Sequence, residues 1–218
     1  MLTQFISAIT RAILVAFLVV LPALLLPGVS SDASQVVVLI AIFSAIFVFI
    51  EYYATYPSIL EFRYTPPFNR LRYVAVLITV FTIASTIRHA TDPNALNGLL
   101  KTIASLTGSA LDFPYSPVRL VALTMPQGTT VAEMELVKVA SGTAYVFSML
   151  SLAVFVFLVR ALDWPARNGA FNVWVNLPLF DPTVGGDVLP RLNRDGRLNI
   201  ALGLLMPFLF PAFFKVIS

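Results

Sequence analysis

The chain has 218 residues, 58% of them hydrophobic and only 11% charged, against about 25% charged in ordinary soluble domains, and its mean hydropathy is +0.87. Too few charges remain to coat a water-facing globule. The absence of cysteine excludes disulfides, thiolate metal sites and cysteine nucleophiles, and the single histidine, His89, excludes bis-histidine haem or a multi-histidine metal centre built by this chain alone. The net charge of +3 gives no reason to invoke nucleic acid, because membrane topology accounts better for the basic residues.

The apolar residues fall in long uncharged runs, the pattern expected when lipid is the solvent around helices. The first run, Ala12 to Val29, follows Arg11 and contains Pro22 and Pro27. It is long for the apolar segment of a signal peptide, so an uncleaved helix near 12–29 is expected. A short connection leads to a second helix near 36–53, ending in Glu51, Tyr52 and Tyr53, and the two are expected to form an antiparallel hairpin. Residues 54–72 carry Pro57, Pro66, Pro67, Glu61, Arg63, Arg70 and Arg72 and are read as a loop on one membrane face. The third helix, near 73–88, has only 14 uncharged residues from Val74 to Ile87 before Arg88, short of the ~20 that cross a ~30 Å core unaided. It is expected to need protein neighbours. Its threonines Thr79, Thr82 and Thr86 share one side, where back-bonding to the helix's own carbonyls is the ordinary role.

Residues 88–136 form the longest interruption. Within it Leu96, Leu99, Leu100, Ile103 and Leu106 recur at helical spacing opposite Asn97, Lys101, Thr102 and Ser105, which predicts an amphipathic surface helix. Thr130 followed by Glu133 is a capping box that opens the fourth crossing, near 137–160. Ala140, Ala144, Ser148 and Ser151 give that helix a face of small side chains suited to close helix packing. The stretch 161–197 holds Trp164, Trp174 and turn signals at Asp181-Pro182, Gly185-Gly186 and Asp195-Gly196, together with apolar residues such as Phe171 and Phe180, and is read as a structured interfacial loop. A fifth helix, near 198–217, contains Pro207 and Pro211. The expected fold is thus a single all-α polytopic membrane domain of about five spans plus a surface helix.

If the spans alternate, one face receives Arg11, Arg63, Arg70, Arg72, Arg160, Arg167, Arg191, Arg194 and Arg197, nine of the 14 basic residues. The other receives Arg88, Lys101, Arg119, Lys138 and Lys215. Enrichment of Lys and Arg on cytoplasmic loops puts the N-terminus inside and the C-terminus outside, with a bacterial inner membrane as the expected location.

No phosphate-binding glycine loop, HExxH or nucleophile elbow occurs. The segment around Gly196 fails as a calcium loop, with Arg191 at the first ligand position and Leu202 at the last. No metal site or other cofactor is expected; a bound lipid or pigment is the small-molecule company such a chain allows. The helix centres lack charged residues, which removes the usual signature of ion-coupled transport. Three readings follow. The first is a non-catalytic subunit, scaffold or assembly factor of a larger membrane complex, with lipids and other membrane subunits as partners and Trp164, Trp174, Arg191, Arg194 and Arg197 as contacts to lipid or partner. The second is a small transporter or channel lined by Thr79, Thr82, Ser148 and Ser151. The third is a lipid-modifying enzyme using Asp181, Asp187, Arg191 and Arg194. His89 is read as a solvated interfacial residue rather than a ligand.

Overall fold

A computed structural model describes residues 2–164, 172–181, 183, 185 and 187–217; Arg167, Phe171, Pro182 and Gly186 lie outside the described residues. The described chain is helical, without strands, and five of its helices are long and apolar enough to cross a membrane. The spans are α1 (Leu2–Leu25), α2 (Ser31–Tyr53), α3 (Phe68–Arg88), α6 (Val131–Ala161) and α8 (Val188–Ile217); α4 (Ala95–Ala110), α5 (Pro117–Ala122) and α7 (Val173–Asn176) lie in the connections.

α1 and α2 form the expected hairpin, entered through the Ser30 hydroxyl, which accepts the Ala33 N–H at 3.2 Å. Helix α1 begins ten residues before its apolar run and so includes Arg11. The Arg11 side chain reaches back one turn, donating to the Ser7 carbonyl at 2.9 Å, and its guanidinium lies 4.4 Å above the Tyr52 ring. That backward reach follows from the tilt of helical side chains toward the N-terminus, and it moves the charge toward the membrane face. Phe5 meets Phe49 and Tyr53 edge-on at the same end.

α3 sits centrally, against α1, α4 and α6, with Thr82, Ala84, Ser85 and Thr86 buried. The span whose apolar run is shortest therefore has the protein neighbours that its length demands. Two of its hydroxyls are tied down locally, Thr79 to the Ala75 carbonyl at 2.7 Å and Thr86 to the Thr82 carbonyl at 2.8 Å.

α4 packs on α3 and α6 through Asn97, Ala104 and Gly108, while Leu96, Leu99, Ile103 and Leu106 stay exposed. In water that orientation would be inverted. In lipid the leucines lose nothing by facing acyl chains, and the small face wins the protein contact because it lets two backbones meet. The meeting point is a pair of glycines: a Cβ built on Gly142 would lie 2.7 Å from the Gly108 Cα, and one built on Gly108 would lie 2.9 Å from the Val139 Cα.

Between α4 and α5, Asp112 accepts from Arg119 and from Lys138 of α6, the latter at 2.7 Å. The Lys138 hydrogen bond foremost, with the Arg119 one, holds its carboxyl below the usual carboxylate range against the opposing effect of partial burial. α6 starts at the predicted capping box, in which Thr130 Oγ1 accepts the Glu133 N–H at 3.3 Å and the Glu133 carboxylate accepts the Thr130 N–H at 2.8 Å.

α8 differs most from expectation. It begins at Val188, ten residues early, so Asp195-Gly196 is helical and not a turn. Asp187 takes the Leu189 N–H at 3.2 Å as an N-terminal cap, and Pro190 falls in the first turn, where its missing N–H has no partner to lose. α8 meets α5, and its Pro211 is buried, while most of its bulky apolar residues are exposed.

Candidate functional site

The densest polar network joins the two connections on the arginine-rich face. Glu51, in the last turn of α2, is only 4% exposed. Its carboxylate accepts the backbone N–H groups of Ser58 (3.0 Å), Ile59 (3.1 Å) and Leu60 (3.0 Å). Three amide donors on one carboxylate satisfy a charge that burial alone would make costly. Arg63, 5% exposed, points its guanidinium at the end of the same helix and donates to the carbonyls of Glu51, Ala54 (2.7 Å) and Thr55 (2.9 Å). Those are the acceptors that a helix C-terminus leaves unpaired, and a cation there also suits the helix dipole.

Asn176, the last residue of α7 and 5% exposed, closes the network from the other connection. Its side-chain oxygen accepts the Tyr64 N–H at 3.2 Å and the Thr65 hydroxyl at 2.5 Å, and its carbonyl accepts the Phe62 N–H at 2.7 Å. Phe62 holds a left-handed backbone (φ 54°), a conformation that persists only where its surroundings fix it. Beneath it Phe62, Phe68, Phe155 and Trp164 form an aromatic cluster, with Phe62 and Phe68 centroids 4.4 Å apart and Phe155 and Trp164 centroids 5.8 Å apart. Two loops separated by more than 100 residues therefore form one ordered surface. Nothing in the local sequence marks Glu51, Arg63 or Asn176 as its anchors.

The sequence-predicted residues fall in several places. On α6 the close approach runs through Val139 and Gly142; Ala140, Ala144 and Ser151 are half-buried and Ser148 is exposed. Ser151 back-bonds to the Ser148 carbonyl at 2.8 Å. Trp164 belongs to the aromatic cluster and Trp174 is exposed on α7. Arg191 donates to the Asp181 carbonyl at 2.9 Å and stacks 4.7 Å from the Phe180 ring, Arg194 pairs with Asp195 at 3.1 Å, and Arg197 is exposed. Asp181 accepts the Thr183 N–H (2.8 Å) and hydroxyl (2.6 Å), an Asx turn, while Asp187 caps α8. The two aspartates thus have turn and cap partners. His89 packs against Gly98 with Nδ1 buried and unpartnered.

Among the described residues no three His, Asp or Glu side chains gather as metal ligands. Comparison with known proteins finds no matching family model, no matching curated protein and no matching solved structure.

Proposed function

We propose that this chain is a non-catalytic subunit or assembly factor of a larger membrane protein complex, and that α8 is its principal contact with the other subunits. The observation that carries the reading is the attachment of α8: a 30-residue span that touches the described bundle mainly through the six-residue α5. Exposed leucines and phenylalanines alone say little in lipid, which is as apolar as they are. The prolines add weight. Pro207 and Pro211 have no N–H to give the carbonyls of Gly203 and Pro207 one turn earlier, and at membrane depth such freed carbonyls are normally satisfied by neighbouring helices or ordered water.

The proposal includes a bacterial inner membrane and a cytoplasmic N-terminus, supported by the arginine bias. The alternative of a small transporter would draw on Thr82, Ser85 and Thr86 of α3 and Thr143 of α6, all buried, with the Thr143 hydroxyl unpartnered. A photo-crosslinking residue in place of Phe210, installed in native membranes, tests the leading reading. A single stoichiometric protein adduct, together with a native mass above that of the chain, is the expected result. Lipid adducts alone and a lone monomer in lipid particles would refute it, and solute flux through vesicles holding only this chain would favour transport.

A further inference from the structure

We propose that residues 54–67 and α7 form a platform seated within the headgroup layer of the arginine-rich face, where it binds the anionic phospholipids of that leaflet. The first support is depth. Fully extended, a connection of this length would reach well into water, yet its backbone is drawn back to the helix ends. Residues 58–60 hydrogen-bond to the carboxylate of Glu51, inside the last turn of α2, and Arg63 binds carbonyls of that same helix end. Phe62 lies against Phe68 and Trp164, which also touch Phe155, six residues before the end of α6. The platform is therefore level with the termini of α2, α3 and α6, which is where hydrocarbon gives way to headgroups.

The second support is what the platform presents. Tyr56 (69%), Ile59, Tyr64, Trp174 (58%) and Leu179 are exposed from a backbone that Glu51, Arg63 and Asn176 hold in place. Tyrosine and tryptophan, apolar with one polar atom, favour the membrane interface, and Ile59 and Leu179 gain by reaching the upper acyl chains. The third is charge. Arg70 and Arg72 in the first turns of α3 and Arg160 in the last turn of α6 are exposed and form no ion pair among the described residues, Arg72 lying 5.4 Å over the Phe68 ring, against Glu61 and Asp163 on the same rim. Exposed guanidiniums at this depth meet lipid phosphates in bidentate geometry. The surface thus suits an anionic leaflet better than a soluble partner.

The test uses the full chain in lipid nanodiscs. Trp164→Phe leaves Trp174 as the sole tryptophan, and if that variant folds poorly, Tyr56→Trp in a Trp174→Phe background, read against Trp174→Phe alone, supplies a second reporter with Trp164 kept in the aromatic cluster. Phospholipids brominated near the top of their acyl chains should quench both reporters strongly, while aqueous iodide should not. Replacing Arg70 and Arg72 by Gln should lower the preference for spin-labelled phosphatidylglycerol over phosphatidylcholine by roughly fivefold per arginine. Quenching by iodide without quenching by brominated lipid would overturn the proposal and mark the platform as a water-facing surface for a protein partner. An unchanged lipid preference in the double variant would overturn it equally.

Discussion

Gly142→Ala tests the helix packing at its tightest point. The added Cβ would sit 2.7 Å from the Gly108 Cα, 2.9 Å from the Gly108 N and 3.1 Å from the Thr107 O, where apolar atoms prefer about 3.5–4.0 Å. All three obstacles are backbone atoms, so no rotamer change relieves the overlap, and α4 and α6 must separate by several tenths of an ångström or more. Overpacking of this kind typically costs ~1–3 kcal/mol. Alanine also favours helix over glycine by up to ~1 kcal/mol, which would mask part of the loss. Gly203→Ala supplies the reference, because it makes the same exchange on α8 with nothing within 4 Å of the new Cβ. Titrating both variants from mild detergent into SDS and following tryptophan emission, Gly142→Ala should be less stable than Gly203→Ala by ~1–3 kcal/mol. Gly142→Leu should fall further. Equal stability of the two alanine variants would refute the glycine contact as the basis of the α4–α6 interface.

Asn176→Ala strands the Tyr64 N–H and the Thr65 hydroxyl, each worth ~1–3 kcal/mol when left buried and unpaired, and should make 54–67 the first site of limited proteolysis. Resistance equal to that of the parent chain would show the two loops to be independent. Asp112→Asn removes the partner of Arg119 and Lys138, and because the Arg119 side chain is 41% exposed the loss should be only ~1 kcal/mol. The pH dependence has a definite sign: the folded carboxyl is depressed, so its contribution is present above the unfolded value of about 3.9 and is lost as pH falls through the lower folded value. The parent chain should thus lose this increment below about pH 4, and Asp112→Asn should lack that acid limb in melting curves. Arg63→Gln should destabilise the end of α2, visible as faster hydrogen exchange at the amides of 58–60 than in Arg70→Gln.

Features set by neighbouring residues are legible in this sequence, and those set by distant partners are not. The capping box at Thr130 and Glu133 needs only four residues, and both of its hydrogen bonds form. The spans were legible because a bilayer demands long uncharged runs whatever the neighbours are. The start of α8 was not, since Asp195-Gly196 resembles a turn while the deciding groups, the Asp187 cap and Pro190 in the first turn, lie eight and five residues earlier. On α6 the run of Ala140, Ala144, Ser148 and Ser151 stood out, yet the backbone contact runs through Gly142, whose partner Gly108 sits on a different helix. On α4 the leucine stripe was visible but not which side would meet protein, because in lipid the smaller face makes the contact. Glu51, Arg63 and Asn176 were hidden for the same reason: their partners are backbone groups brought near by folding, with no residue pattern to announce them.

Side-specific labelling tests the five-span architecture most directly, and the natural absence of cysteine makes single-cysteine variants clean. Thr3→Cys and Gly185→Cys, both exposed and outside the lipid-seated platform, should react with a membrane-impermeant maleimide from one side of sealed vesicles, and Tyr115→Cys, which lies between α4 and α5, from the other alone. Labelling of Gly185→Cys and Tyr115→Cys from the same side would contradict the architecture on which the rest depends.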